Sequence, residues 1–187
     1  MKMISIQKLI DETIKSIWQN EIKNDYDSRW LLKEDTLKAS FYFHLRNKLG
    51  HIFDLYNIRI FTEFTDNIFK GSGKRPDMVI AEYDRIEKHS YFGDNIKNCY
   101  AVIEFKFKSG LSSENDIDSD YDKLRFYVEK LKVDCPLYMV TLWEYPDTYS
   151  VKWVRKNAKW AKGRLTELYA SWDENYKMQF HEPFVHR

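Results

Sequence analysis

The stretch A-V-I-E-F-K-F at residues 101–107 has the apolar character of a buried strand, yet it carries a carboxylate and an ammonium group. Side chains alternate across a strand, so Glu104 and Lys106 share one face while Phe105 lies on the other. The apolar face predicts a place in the core. Charge pairs also occur on open sheet faces, so this stretch alone predicts a strand and not yet a site.

A second carboxylate, Asp77, opens the preceding predicted strand, directly after Lys74-Arg75-Pro76. If the two strands are hairpin neighbours, Asp77 and Glu104 approach each other at one end of the sheet. Close carboxylates repel unless a cation lies between them. Mg²⁺ suits such oxygen ligands because it binds through one or two carboxylates and keeps several waters. Lys106 is then placed to hold or deprotonate a water and to stabilise charge on a phosphate.

The remaining sequence predicts alternating helices and strands. Helices are expected over residues 4–23, 34–49, 119–131 and 157–172, and strands over 58–64, 77–83, 100–107 and 137–143. Gly50 is expected to end the second helix, and residues 84–99 are expected to form a long connection. Three strands in hairpin order, followed by a helical crossover to another strand, predict a mixed sheet with helices packed against it.

The bulk composition restricts the domain organisation and the partners. With 187 residues the chain fits one domain, residues 1–187, with a helical segment over about 1–30 and a basic helical segment over about 150–187. Its formal net charge of +1 means that any affinity for polyanions must come from local patches. No apolar run approaches the ~20 residues that span a bilayer. We therefore expect no membrane partner, a cytoplasmic location, and reduced thiols at Cys99 and Cys135.

Proline-aspartate on one strand, followed by E-x-K on the next, resembles the motif of the PD-(D/E)XK nuclease superfamily. Here it reads Pro76-Asp77 and Glu104-Phe105-Lys106. The resemblance covers about residues 30–143 and implies a restriction-endonuclease-like α/β fold with an α-β-β-β-α-β core. It also implies cleavage of phosphodiester bonds with Mg²⁺, or Mn²⁺ in its place. In that family pattern Asp77, Glu104 and the main-chain carbonyl of Phe105 bind the metal, and Lys106 positions the attacking water.

The same resemblance suggests further site residues. Glu34 stands where the family often carries a catalytic acid on the helix before the sheet, although an acid at a helix N-terminus is also stabilised by the helix dipole. Glu63 is a rival for the same pocket or an exposed strand carboxylate. Lys123, in the D-x-x-K-L stretch after the E-x-K strand, either reaches a phosphate or lies on a solvated helix face.

A basic segment at residues 152–164 contains six Lys or Arg residues, no acid and two tryptophans. Such residues contact phosphates and stack on bases, but a basic helix with its tryptophans packed inward has the same composition. Together with the basic residues near the predicted site, they form the expected nucleic-acid-binding set: Lys74, Arg75, Lys123, Arg155, Lys156, Lys159 and Trp160.

The sequence therefore predicts a Mg²⁺-dependent nuclease that acts on nucleic acid, with DNA as the expected substrate. One alternative is a module of the same fold that binds nucleic acid or a protein without turnover. Another is a small regulatory or inhibitor protein whose tyrosine-rich surface binds a partner. A homodimer is compatible with each of these.

Overall fold

The computed structural model describes residues 3–64, 74–84, 95–109, 115–130, 135–146, 159–161 and 163–186. Its helices are α1 (Met3–Ile17), α2 (Lys23–Asp27), α3 (Glu34–Leu55) and α4 (Asn115–Lys130), with a π-helical segment, Trp18–Ile22, joining α1 to α2. The strands are β1 (Ile58–Thr62), β2 (Met78–Tyr83), β3 (Ile96–Lys108), β4 (Leu137–Pro146), β5 (Leu165–Trp172), β6 (Met178–Phe180) and β7 (Phe184–Val185).

The seven strands of the described residues form one mixed sheet in the order β1-β2-β3-β4-β5-β6, with β7 also pairing with β5. The pairs β1–β2 and β2–β3 are antiparallel, whereas β3–β4 and β4–β5 are parallel. Helix α4 is the crossover between the parallel strands β3 and β4. The predicted α/β fold class, a mixed sheet flanked by helices with an α-β-β-β-α-β core, is confirmed.

The sheet separates two hydrophobic cores. The first core packs α1 and α3 against one face, and it contains Ile103, Phe105 and Phe107 of β3. The second core packs α4 against the other face, and it contains Val102. Glu104 lies in the same strand as these residues and on the α4 side, because it alternates with Phe105. The predicted division of β3 into an apolar face and a charged face is therefore present.

Several element boundaries differ from the prediction. Helix α3 runs through Gly50 to Leu55 because Phe53 continues the row of buried residues that includes Leu45 and Leu49. Strand β3 begins at Ile96 rather than Tyr100, so the connection from β2 is shorter than expected. The turn predicted at residues 71–73 lies outside the described residues.

The helix predicted over residues 157–172 and the helical segment expected over about 150–187 are both wrong for the part of these ranges that the structure describes, residues 159–161 and 163–186. The structure has a short 3₁₀ segment, Lys159–Ala161, followed by strand β5. Leu, Glu and Ala favour helices locally, but β5 is paired with β4 on one side and with β6 and β7 on the other. Tertiary pairing therefore decides the conformation of this segment.

Helix α3 offers a test of the first core. Phe41 is fully buried and its ring lies 5.3 Å from that of Phe105, whereas Phe43 on the same helix is largely exposed. Phe41→Ala should lower the free energy of unfolding by about 3–5 kcal/mol because it leaves a cavity. Phe43→Ala should change it by about 0.5 kcal/mol or less. Urea unfolding of both variants checks this, and equal losses would contradict the assigned packing.

Candidate active site

The two candidate metal ligands lie on neighbouring strands. The antiparallel register of β2 and β3 ends at the pair Met78–Ile103, which places Asp77 beside Glu104. Asp77 Oδ2 accepts a hydrogen bond of 2.8 Å from the main-chain N–H of Phe105. This bond fixes the Asp77 carboxylate at the start of β2, beside the part of β3 that extends beyond its pairing with β2. The predicted approach of Asp77 and Glu104 is present.

The same hydrogen bond shows which way the main-chain carbonyl of Phe105 points. In an extended strand, the N–H and C=O of one residue point to the same side, as they do in a hydrogen-bonded strand pair. Because the N–H of Phe105 points to Asp77, its carbonyl also faces the β2 side of the strand. Two carboxylates and one main-chain carbonyl therefore border the same space.

Glu104 is fully buried between β3 and α4. Its Oε1 accepts a hydrogen bond of 3.0 Å from the hydroxyl of Tyr127, and its Oε2 lies 3.3 Å from the ammonium nitrogen of Lys123. Burial, together with the negative charge of Asp77, raises the pKa of the Glu104 carboxyl well above its ordinary value. The two carboxylates thus repel each other, as their predicted proximity implies.

Lys106 lies between two acids. Its ammonium nitrogen is 2.8 Å from Asp120 Oδ2 and 3.4 Å from Glu34 Oε2. Burial lowers the pKa of Lys106, but the charges and hydrogen bonds of Asp120 and Glu34 outweigh this effect, so the pKa is raised. The side chain is therefore an ammonium donor at neutral pH, suited to orienting a water or a phosphate and not to removing a proton.

Glu34 is the first residue of α3 and also contacts Lys106. The turn before it is fixed by Thr36, whose Oγ1 accepts hydrogen bonds from the N–H groups of Leu32 (2.9 Å) and Lys33 (3.1 Å). Burial raises the pKa of Glu34, and Lys106 opposes that shift. Glu34 thus lies at a helix N-terminus and in the cluster at the same time.

Three residues to which the sequence motifs assign no role complete the cluster. Lys38 bridges Glu63 and Asp77, Asp120 bridges Lys106 and Lys123, and Tyr127 binds Glu104. Helical spacing is the signal that finds them. Lys38 follows Glu34 by one turn of α3, and Asp120, Lys123 and Tyr127 recur at intervals of three and four on α4.

Within the described part of the chain, this site cluster brings together five carboxyl groups and four basic groups. They are Glu34, Glu63, Asp77, Glu104 and Asp120, with Lys38, Arg75, Lys106 and Lys123. Glu63 directly follows the last residue of β1. Its carboxylate forms ion pairs with both Lys38 and Arg75, so it contacts the cluster through these two cations.

The chemistry of these oxygen donors would suit one divalent cation of the Mg²⁺ type. Among the described residues, no group of three or more His, Cys, Asp or Glu side chains is arranged to hold a metal ion. Mg²⁺ does not require such a group, because it binds through one or two carboxylates and retains waters. Asp77, Glu104 and the Phe105 carbonyl are the oxygens that meet this requirement.

The residues expected to bind nucleic acid are only partly near this cluster. Arg75 is exposed and paired with Glu63, while Lys123 points inward to Glu104 and Asp120. Lys74 precedes Arg75 at the same edge and is half-buried. Lys159 is exposed, and Trp160 is half-buried against the second core. Arg155 and Lys156 lie outside the described residues.

No protein-family model matches the chain, and no curated protein matches it. Among solved structures, the chain is similar to SfsA from Pyrococcus furiosus, determined in complex with Ca²⁺, with a TM-score of 0.34 and 11% sequence identity. The similar region covers 79% of this chain and 63% of that one. Similarity this weak does not place the chain in a family. None of the helices in the described ranges is long and apolar enough to cross a membrane.

The raised pKa of Glu104 predicts a pH dependence in metal-free protein. The folded chain holds this proton more tightly than the unfolded chain, so stability falls as pH rises from the ordinary value of 4.5 towards the folded-state pKa. Glu104→Gln removes the titrating group and should flatten that decline. Urea unfolding in EDTA from about pH 5 to about pH 8 measures the slope.

Glu129 on α4 supplies the matched control because it is exposed and pairs only with Arg125 among the described side chains. Glu129→Gln should leave the slope of the wild-type protein unchanged. Equal slopes in wild type and Glu104→Gln would contradict the assigned burial of the Glu104 charge.

Proposed function

We propose that this protein is a metal-dependent nuclease of the PD-(D/E)XK type, which hydrolyses phosphodiester bonds in nucleic acid, with DNA as the expected substrate. The observation that carries the proposal is the hydrogen bond from the Phe105 N–H to Asp77, which holds Asp77 beside Glu104. That contact assembles the motif residues of two strands into one oxygen-rich space, with Lys106 on the same face of β3 as Glu104.

In this proposal Asp77, Glu104 and the carbonyl of Phe105 hold Mg²⁺ or Mn²⁺. The bound ion would supply Lewis-acid stabilisation of the charge that develops on the phosphate. Lys106, as an ammonium group, orients the attacking water and donates to a phosphate oxygen. Glu34 and Asp120 hold the Lys106 side chain in place through the contacts at 3.4 and 2.8 Å.

Substrate binding in the proposal relies on basic groups around the cluster. Arg75 and Lys74 lie at the edge where Asp77 begins its strand, and Arg75 is exposed. Lys123 already neutralises Glu104 and Asp120, so it contributes first to the charge balance of the site. Phosphate contacts of this kind position nucleic acid without reading its sequence.

Alanine substitution tests the activity. Asp77→Ala, Glu104→Ala and Lys106→Ala should each lower Mg²⁺- or Mn²⁺-dependent cleavage by at least about 100-fold, because each removes a group that acts on the reacting phosphate. Cleavage of a mixed panel of single- and double-stranded DNA and RNA is the measurement, with circular dichroism to confirm folding.

Lys8→Ala is the control, since Lys8 is an exposed lysine on α1 whose ion-pair partner, Glu12, is exposed as well. It should cleave like the wild-type protein. Cleavage that persists in both Glu104→Ala and Lys106→Ala would exclude this site as the source of the activity.

A second candidate function, a protein-interaction module of the same fold, is favoured by one observation. Trp30, Leu32 and Phe43 are 74%, 72% and 58% exposed, and all three lie on α3 or in the connection before it. Large apolar side chains that remain exposed on a surface can mark a protein interface. In this candidate function, the binding partner is a second copy of this chain.

Charged substitutions at these positions test the second candidate. If this surface forms a homodimer, Trp30→Lys combined with Leu32→Lys should convert a dimer into a monomer in sedimentation velocity experiments, because burying lysine at an interface costs free energy. Leu55→Lys, at the exposed far end of α3, should leave the dimer intact. A wild-type protein that stays monomeric at high concentration would exclude this candidate.

A further inference from the structure

Lys38 places a partly buried ammonium group beside Asp77, where the proposed metal ion would bind. Its ammonium nitrogen lies 3.0 Å from Asp77 Oδ1 and 2.5 Å from Glu63 Oε1. The side chains of Lys38 and Asp77 are 12% and 11% exposed, so little solvent screens their contact. Lys38 reaches Asp77 from α3, whereas Lys123 reaches Glu104 from α4 on the opposite face of the sheet.

The two oxygens of Asp77 have different partners. Oδ2 accepts the main-chain N–H of Phe105, which is part of the strand framework, and Oδ1 faces Lys38. A metal ion that approaches Asp77 through Oδ1 leaves the framework bond undisturbed, but it meets the ammonium group of Lys38 there. A divalent cation and the Lys38 ammonium group would repel each other strongly if both contacted the same carboxylate oxygen.

Glu63 is a second ion-pair partner for the Lys38 ammonium group. Its carboxylate holds Lys38 through Oε1 and Arg75 through Oε2, and at 41% exposed it is more accessible than Asp77. A small movement of the flexible lysine side chain, away from Asp77 and onto Glu63 alone, frees Oδ1 while keeping the ammonium paired. This role accounts for the position of the Glu63 carboxylate, which among the described residues contacts the site through Lys38 and Arg75.

We propose that Lys38 is an internal counter-ion that occupies the cation position at Asp77 in the metal-free protein and moves to Glu63 when a divalent metal binds. The proposal rests on the proposed function in its choice of metal. Lys38 then has two effects: it keeps Asp77 neutralised without metal, and it lowers the affinity of the site for metal. It is a positioning residue, because it acts through Asp77.

Metal binding by Lys38→Met tests the proposal without relying on cleavage. Loss of the competing charge should tighten Mn²⁺ binding by at least about tenfold, measured by the electron paramagnetic resonance of free Mn²⁺. The metal-free variant should unfold at a lower temperature than wild type, and Mn²⁺ should raise its unfolding temperature more. Lys38→Arg, which keeps the charge, should bind Mn²⁺ with an affinity close to that of wild type.

Lys48→Met is the matched control, because Lys48 lies on the same helix and pairs with Glu21 at 2.8 Å. It should leave Mn²⁺ affinity unchanged. If Lys38→Met does not fold without metal, wild-type protein with ¹³Cε-labelled lysine gives the answer. The Lys38 resonance, assigned with Lys38→Arg, should shift on Mg²⁺ addition while the Lys48 resonance stays fixed.

Unchanged or weaker Mn²⁺ binding by Lys38→Met, or a Lys38 resonance that ignores Mg²⁺, would overturn the proposal. So would wild-type protein and Lys38→Met that both fail to bind Mn²⁺. Tighter binding in Lys38→Met without cleavage of any nucleic acid by wild type supports the role of Lys38 and overturns the nuclease proposal instead.

Discussion

The carboxyl group of Glu104 is buried inside the fold, and a group in that position must be protonated, paired or bound to a cation. The surrounding structure follows from this requirement. Tyr127 and Lys123 of α4 point at its two oxygens, and Asp120 holds Lys123 and Lys106 in turn. Asp77 adds a second negative charge that makes the requirement stronger, as the raised pKa of Glu104 reflects.

The two helical layers supply cations to this edge of the sheet from opposite sides. Lys38 reaches Asp77 from α3, and Lys123 reaches Glu104 from α4. Each candidate metal ligand is therefore neutralised by a lysine from a different layer, and the site exists only when both layers are packed. A divalent cation at this site competes with side chains and not simply with water.

The sequence predicted the central part of the fold because its signals there are local. Alternation along β3 separates Phe105 from Glu104, and that division is present in the structure. Strand β5 was missed because its residues favour a helix and only pairing with distant strands makes them extended. Gly50 did not end α3 because burial of Phe53 outweighs a glycine's local cost.

The motif predicted that Asp77 and Glu104 approach each other, and the register of β2 and β3 brings them together. Lys38 and Tyr127 were missed because their roles arise from helix packing across the sheet. The most direct test of the account is anomalous diffraction from crystals soaked in Mn²⁺. It predicts one peak within coordination distance of Asp77, Glu104 and the Phe105 carbonyl, with Lys38 moved to Glu63. Saturating Mn²⁺ with no peak between the two carboxylates would contradict it.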